Sequence, residues 1–323
     1  MNRRRFSVGL AAAGILLAAG PASAAEGPST VRIGFQKSST LIGILKANGE
    51  LEKALATLGV SVTWSEFQSG LPLLEALNVG AVDISGDVAD TVPVFAQAAG
   101  AKLTYIATEA PSPSAQALLV PAKSPITSVA ELRGKKIAVT KAAGSHYLLI
   151  VALAQAGLKF NDIQPAYLAP ADGRAAFEKG VVDAWVTWDP FVAAVQKQSD
   201  VRVLADGKGI ANYERYYLAS SAYADSRPDV LKAIFEKLKE TGDWVKKNPG
   251  DDSRLLAPVW GVKADVVELA NSRRSYDVRA VSPDNLAGEQ KIADAFFAEG
   301  LLPKEIKTNE ALIWSPNKQA SAN

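Results

Sequence analysis

Short apolar runs alternate with amphipathic stretches along most of the chain. The apolar runs predict strands at Val31–Gln36, Val60–Phe67, Ala81–Ser85, Leu103–Thr108, Lys135–Thr140, Gln164–Tyr167 and Ala184–Thr187. The stretches between them space their apolar residues as one face of a helix does, and they predict helices at Leu41–Leu58, Leu71–Asn78, Thr91–Ala99, Ser145–Ala156 and Gly173–Lys179. This alternation predicts an α/β fold with mostly parallel sheets.

The chain contains an internal repeat. Ala76–Asp83 and Ala176–Asp183 both end a helix with glycine, which suits a left-handed cap, and both enter a strand through Val-Asp. Ile33–Lys37 matches Ile137–Lys141 at nearly the same separation. Two matches at similar offsets predict two lobes with a duplicated βαβα plan.

A proline- and serine-rich stretch, Glu109–Ser114, has the composition of a linker between the two lobes. We interpret the extended segments Gln116–Val120 and Tyr216–Ser220 as two crossovers at the hinge, which carry the chain to the second lobe and back. The predicted division is lobe 1 over residues 25–114 and 217–316, lobe 2 over residues 115–216, and a frayed tail over residues 317–323. Further helices that would cover lobe 1 are predicted at Asp229–Asn248, Lys263–Ser272 and Gln290–Glu299.

The N-terminus has the pattern of a bacterial secretory signal over residues 1–24. A basic start, Arg3–Arg5, precedes an apolar run over Val8–Ala19 and the small residues Ala22–Ala24. The apolar run is too short for a membrane span, which needs about 20 residues. We therefore expect export to the periplasm, by the general secretory route or by the twin-arginine route that the arginines also suggest.

Composition excludes several classes of protein. The 323 residues include no cysteine and one histidine, and the single methionine is Met1. Disulfide scaffolds, thiolate metal sites, cysteine nucleophiles and multi-histidine metal sites are therefore ruled out. Thirty-five basic and 34 acidic residues give a net charge of +1, which argues against a nucleic-acid partner. No cofactor is predicted.

Motifs of enzymes are absent from the sequence. It has no Gly-x-Ser-x-Gly elbow, no Walker loop and no His-Glu-x-x-His pair. We therefore predict a binding protein, while a secreted enzyme on the same fold stays the alternative from another class.

The loops that follow the first strand of each lobe are the first candidates for a binding site, because open α/β sheets bind ligands at the carboxyl ends of their strands. These loops contribute Gln36, Ser38, Ser39 and Thr40 in lobe 1 and Gly144, Ser145 and His146 in lobe 2. Hydroxyl groups and free backbone N–H groups at a helix N-terminus suit an anion. Alternatively, the hydroxyl groups simply cap their helices and His146 lies at the surface.

Other candidates follow later strands. Asp87, Asp90 and Thr91 follow the third strand, and Trp185, Trp188 and Asp189 lie at the end of the strand that opens toward Pro190. Trp188 is the better candidate for an apolar wall, and either tryptophan could instead belong to the core. Helix capping is the alternative role for the aspartates. Glu109, where the linker begins, could face the cleft or the solvent.

Five stretches carry a resemblance to a known family: Glu66–Gly70, Phe95–Gly100, Asp183–Phe191, Arg202–Gly207 and Tyr217–Ser220. With them, the chain from about Val31 to beyond Val245 resembles the aliphatic-sulfonate-binding proteins of bacterial ABC importers. The wider group includes taurine- and nitrate-type binding proteins, which stay alternatives for the ligand.

The resemblance implies a type II periplasmic binding fold, in which a monomeric hinged clamp delivers its ligand to a membrane permease and its ATPase. It also implies an alkanesulfonate held by the hydroxyl and backbone groups of the two loops, with Trp188 along the organic tail. Glu109 or an aspartate near position 90 would hold an amino group on a taurine-like ligand. Because the family pattern Gly-Asp-x-Pro-Pro is altered here, Asp87 and Asp90 compete for one role.

Overall fold

The computed structural model of the protein describes residues 29–317, so the predicted signal peptide lies outside the described residues, as does most of the predicted tail. The strands are β1 (Ser29–Gln36), β2 (Val60–Phe67), β3 (Ile84–Ala89), β4 (Leu103–Glu109), β5 (Gln116–Pro121), β6 (Lys136–Val139), β7 (Gln164–Tyr167), β8 (Ala184–Trp188), β9 (Val201–Asp206), β10 (Arg215–Ser220), β11 (Val278–Arg279) and β12 (Leu312–Ile313). The helices are α1 (Leu41–Asn48), α2 (Glu50–Ala56), α3 (Gly70–Asn78), α4 (Thr91–Ala98), α5 (Gly144–Gln155), α6 (Pro170–Glu178), α7 (Phe191–Gln198), α8 (Ser221–Ser226), α9 (Pro228–Lys247), α10 (Pro249–Trp260), α11 (Ala264–Asn271) and α12 (Pro283–Ala298).

The strands form two sheets. The first has the order β11-β4-β10-β3-β1-β2, with β12 also paired to β4, and the second has the order β7-β6-β8-β5-β9. The pairs β1–β2, β1–β3, β6–β7 and β6–β8 are parallel. The predicted α/β class with two lobes is confirmed. The sheets are less parallel than predicted, because β5 and β10, the crossover strands, pair antiparallel to their neighbours.

The predicted lobe boundaries remain a prediction. The residues at which the chain leaves and enters each sheet can be compared with them. The second sheet takes its strands from residues 116 to 206, and the chain re-enters the first sheet at Arg215, two residues before the predicted return. The backbone of the outgoing and returning segments is hydrogen-bonded, from Ser112 N to Asn212 O at 3.1 Å and from Gly207 N to Pro113 O at 3.0 Å. The two segments that connect the sheets, residues 110–115 and 207–214, therefore lie side by side.

The internal repeat gives each lobe the same contact between an aspartate and the backbone of a neighbouring strand. The Asp83 carboxylate accepts the backbone N–H of Arg32 at 2.8 Å, and the Asp183 carboxylate accepts that of Lys136 at 2.8 Å. Each aspartate also donates its own N–H to the carbonyl of the same partner. The recurrent Val-Asp thus anchors the approach of β3 to β1 and of β8 to β6.

The predicted helix over Leu41–Leu58 is wrong in one respect, since it is divided into α1 and α2. Gly49, between them, has φ 68°, a left-handed conformation that ends a helix. The helix predicted at Gln290 begins earlier, at Pro283, where Ser282 and Asn285 form a capping box.

The C-terminal helices do more than cover lobe 1. Helix α11 packs on α10 and also on α7, and α12 packs on both α4 and α5. Phe296 of α12 contacts Phe95 and His146, with both pairs of ring centroids 4.9 Å apart. The C-terminal part of the chain therefore bridges the two lobes. Among residues 29–317, no helix combines the length and apolar character that crossing a bilayer requires.

Candidate functional site

A pocket lies between the two sheets, where strands and helix N-termini from both lobes meet. Its lining includes Gln36 at the end of β1, Trp188 at the end of β8, Gly144 at the start of α5, Arg215 at the start of β10 and Ser69 before α3. The empty volume, including open solvent at its mouth, is about 290 Å³. Three of these five residues, Gln36, Gly144 and Trp188, are among those predicted from the sequence.

The two lobes touch around this pocket. Thr91 Oγ1 donates to the carbonyl of Ala142 at 2.7 Å, and Trp188 Nε1 donates to Ser38 Oγ at 3.4 Å. Gly144 allows a close approach, since a Cβ atom there would lie 2.5 Å from the Tyr213 ring. The structure therefore presents the lobes in contact with one another.

Backbone strain accumulates at the same place. Ala142 and Tyr213 have φ of 61° and 55°, a left-handed conformation that is uncommon for residues other than glycine. Tyr213 and the neighbours of Ala142, Lys141 and Ala143, line the pocket. Strained backbone of this kind clusters at ligand-binding and switch regions.

Backbone N–H groups at the starts of α1 and α5 are not capped by a side chain of the described residues. Within residues 29–317, no side chain caps the first turn of α1 or α5, so the hydroxyl groups do not serve the capping role considered above. Ser39 Oγ instead accepts the N–H of Gln36 at 3.3 Å, and Thr40 Oγ1 lies 3.0 Å from Tyr276 Oη. Ser145 Oγ is buried with no partner in the described part of the chain.

A buried cluster of charges supports the wall of the pocket. Arg215 forms an ion pair with Asp87, and Arg274 Nη2 lies 2.6 Å from Glu109 Oε2 and 3.7 Å from Asp87 Oδ2. All four side chains are almost completely buried, and Tyr217 donates its hydroxyl to Glu109 Oε1 at 2.7 Å. The charges cancel within the cluster. Glu109 is thus engaged by Arg274 and Tyr217 and does not line the pocket.

Arg215 keeps one donor free. Its Nη1 donates to Tyr213 Oη at 3.1 Å, and its Nη2 donates to the carbonyl of Asp87 at 3.2 Å. The buried Nε has no partner among residues 29–317. Asp87 therefore balances the charge of Arg215, whose Nε keeps an unused N–H group.

Asp90 belongs to different surroundings from Asp87. Its N–H donates to Glu214 O at 3.0 Å, and its Oδ2 accepts the N–H of Glu214 at 3.1 Å. Burial raises the pKa of Asp90 to about 7, against the opposing effect of that hydrogen bond. Asp90 lines a second pocket, while Asp87 contacts the residues of the first, so the two predicted alternatives separate in space.

The structure does not bring the side chains of His146 and Trp185 to the pocket between the sheets. The His146 ring packs against Phe160 and Phe296, and burial, with the charge of Lys141, lowers its pKa to about 3. Trp185 is 1% exposed and packs on Phe177 within lobe 2. The His146 backbone N–H donates to Ala143 O at 2.8 Å, so His146 belongs to an aromatic cluster rather than to the lining of the pocket, and Trp185 belongs to the core.

Asp189 makes a bridge between distant parts of the chain. Its Oδ1 accepts the N–H of Ala193 at 2.9 Å, in the first turn of α7, and both carboxylate oxygens lie 3.2 Å from Arg273 Nη1. Burial raises the pKa of Asp189 to about 7, although Arg273 opposes the change. The Asp189 side chain thus bonds to the first turn of α7 and also pairs with Arg273.

Sequence reasoning missed Arg215, Tyr213 and Lys141. One signal for Lys141 was available, because it matches Lys37 in the internal repeat. Arg215 directly precedes the segment identified as the return crossover, and a charged residue at the edge of that apolar run was the signal for it.

Comparisons with known proteins place the chain among solute-binding proteins. The family model NMT1/THI5 like matches residues 56–252. An aliphatic sulfonates-binding protein of Escherichia coli (strain K12) is 41% identical over 316 residues, which cover 97% of this chain and 98% of the relative.

Two solved structures are similar over nearly their whole length. The alkanesulfonate-binding protein SsuA of Xanthomonas axonopodis pv. citri, bound to MOPS, has a TM-score of 0.84 at 37% identity, covering 89% of this chain and 99% of that one. The periplasmic aliphatic sulphonate binding protein SsuA of Escherichia coli has a TM-score of 0.80 at 39% identity, covering 88% of this chain and 98% of that one.

Proposed function

The chain belongs to the NMT1/THI5-like family and to the aliphatic-sulfonate-binding proteins, and from this premise we propose that it binds an aliphatic sulfonate between its two lobes. As the extracytoplasmic binding protein of an ABC importer, it would deliver this ligand to a permease and its ATPase and supply the cell with sulfur. It acts as a monomer without a cofactor and catalyses no reaction.

The pocket lined by Arg215, Gln36 and Trp188 is the observation that carries this proposal. A sulfonate spreads one negative charge over three oxygens, so it needs several hydrogen-bond donors rather than a single counter-ion. The free Nε of Arg215, the free hydroxyl of Ser145 and the N–H groups at the starts of α1 and α5 are such donors. In this proposal Ser38, Ser39 and Thr40, which directly precede α1, add further donors from lobe 1.

The organic part of the ligand lies along Trp188 in this proposal. Its indole packs edge-on against Phe191, with ring centroids 5.6 Å apart, and is almost fully buried when the lobes are in contact. A ligand that touches both lobes stabilises the closed state by its differential affinity for that state. Thr91 and Ala142, which bond across the lobes, would separate when the clamp opens.

A thermal-shift and calorimetry panel on refolded, ligand-free protein tests the function. Ethanesulfonate and MOPS are compared with taurine, sulfate, nitrate and a neutral alcohol. At about 1,000 times its dissociation constant, a true ligand adds about 4 kcal/mol to the free energy of unfolding. A shift with nitrate or the alcohol, and none with a sulfonate, would refute the proposed ligand class.

Two further measurements separate transport from the alternatives. Incubation of the purified protein with ethanesulfonate should release no sulfite, whereas release would identify an enzyme. Osmotic-shock fractionation of cells that express the full chain should recover the protein in the periplasmic fraction, and retention in the cytoplasm would contradict export.

A further inference from the structure

A second pocket lies on the other side of β10 from the sulfonate site. Side chains alternate across a strand, and here Arg215 lines the first pocket while Glu214 and Tyr216 line the second. Asp90 and Glu289 of α12 add two further carboxyl groups to the lining. The empty volume, including the open mouth, is about 760 Å³, and we call this cavity the rear pocket.

The rear pocket collects three carboxyl groups that have no cationic partner. Within residues 29–317, no salt bridge within 4.0 Å involves Asp90, Glu214 or Glu289. Lys291 is the one cationic side chain among the described lining residues, and it is exposed. Burial raises the pKa of Glu289 well above its usual range and that of Asp90 to about 7, against the opposing effect of their hydrogen bonds, so a cation that binds beside Glu289 displaces its proton.

Glu289 provides the observation that points to a ligand. It is 1% exposed, and its Oε2 accepts the hydroxyl of Tyr105 at 2.6 Å. Its Oε1 is buried with no hydrogen-bond partner in the described part of the chain, and the residue lines the pocket. An unpaired buried polar atom costs free energy, and a ligand in the pocket that forms a hydrogen bond with it would remove that cost.

The remaining walls define the chemical class of that donor. Tyr147, Tyr216, Ile210 and Ile292 give the pocket an aromatic and aliphatic lining. In the described part of the chain, no cluster of three acidic or histidine side chains is close enough together to hold a metal ion. An alkyl group with one ammonium head suits such walls better than a metal ion does, because the ring faces favour a cation and the aliphatic walls an alkyl chain.

We propose that the rear pocket binds a small primary alkylammonium ion, with an N–H group donated to Glu289 Oε1 and its charge offset by the carboxyl groups of Asp90 and Glu214, which line the same pocket. This site is separate from the sulfonate pocket and does not depend on the sulfonate proposal. Glu214 keeps one carboxylate oxygen available to a cation. Tyr216 Oη and Asn285 Nδ2 donate to its Oε2 at 2.7 and 2.8 Å and leave its Oε1 available.

Ethylammonium chloride is the probe, titrated by calorimetry into the mature protein at pH 8 against sodium chloride of equal ionic strength. We expect saturable 1:1 binding to the wild type, weakened at least tenfold by Glu289→Gln. The matched control is Asp284→Asn, which changes an exposed carboxylate at the start of the same helix and should bind as the wild type does.

A second variant keeps the test decisive if Glu289→Gln fails to fold. Glu214→Gln alters a half-buried carboxylate and should weaken ethylammonium binding severalfold, while Lys291→Gln, which removes the lining cation, should strengthen it. Absence of saturable binding would overturn the proposal. Binding that Glu289→Gln and Glu214→Gln both leave unchanged, or a preference for Mg²⁺ over ethylammonium, would also overturn it.

Discussion

Replacing Glu109 by glutamine tests whether the buried charge cluster holds the hinge together. The change keeps the size of the side chain and an oxygen that can accept from Tyr217, but it removes the charge that faces Arg274 at 2.6 Å. Breaking a buried pair leaves an uncompensated charge and costs about 3–5 kcal/mol. Asp87, 3.7 Å from the same guanidinium, compensates in part, so we expect the lower end, about 3 kcal/mol.

Urea denaturation of ligand-free protein at pH 7 measures this loss as a lower free energy of unfolding. The matched control is Glu178→Gln, which breaks the exposed pair that Arg174 and Glu178 form at 2.8 Å on one helix face. Such a pair contributes about 0.3–0.5 kcal/mol, so the control should hardly change. Because Glu109 does not line the sulfonate pocket, the affinity of Glu109→Gln for ethanesulfonate should stay within about threefold of wild type.

A double-mutant cycle with Arg274→Met completes the test. If the two side chains form one unit, the double variant loses less stability than the sum of the single variants, by about 1–3 kcal/mol. A loss of stability in Glu109→Gln no greater than that in Glu178→Gln would refute a stabilising buried pair. Additive effects of Glu109→Gln and Arg274→Met on the free energy of unfolding would refute it as well.

Three further predictions concern residues on either side of the pocket. Trp188→Phe removes an indole N–H and should weaken ethanesulfonate binding about fivefold in calorimetry. Trp185→Phe should instead lower the free energy of unfolding by about 1–2 kcal/mol and leave the affinity unchanged. Equal effects of the two variants on affinity would contradict the placement of Trp188 in the site and Trp185 in the core. Thr91→Val removes the bond to Ala142, which forms when the lobes meet, and should also weaken binding about fivefold; an unchanged dissociation constant would show that this bond does not favour closure. Burial lowers the pKa of His146 to about 3, so below pH 6.5 the unfolded chain binds a proton that the folded chain does not. Urea melts at pH 7, 6 and 5 should therefore show the wild type losing about 1.4 kcal/mol per pH unit relative to His146→Phe once the pH is below 6.5, and parallel curves would contradict a buried neutral imidazole.

Most of the duplicated core could be predicted from sequence because its signals are local. The predicted strands over Val60–Phe67 and Gln164–Tyr167 match the observed bounds. Helix α10 was not predicted, since Pro258 lies within it and interrupts the helical pattern. β9 was not predicted either, because its side chains are only partly buried and its apolar pattern is weak.

The site was harder to predict because the direction of a side chain depends on partners far along the chain. His146 follows the same kind of loop as Ser38, yet Phe296 of α12 draws its ring into an aromatic cluster. Asp87 and Asp90 are three residues apart, yet Asp87 pairs with Arg215 of the first pocket and Asp90 lines the second, a difference that no spacing rule predicts. Arg215 acquires its importance from Asp87, more than a hundred residues earlier in the chain.

The two connecting segments that lie side by side make the second lobe of the molecule exchangeable. Because the Ser112 and Asn212 backbones are in contact, the intervening segment leaves and rejoins the rest of the chain at neighbouring points. A chimaera could therefore take residues 113–211 from a relative with only two adjacent junctions to repair. Gly144, Ser145 and Trp188 would be replaced together, while Gln36 and Arg215 would stay. The contribution of each lobe to ligand preference could therefore be exchanged separately.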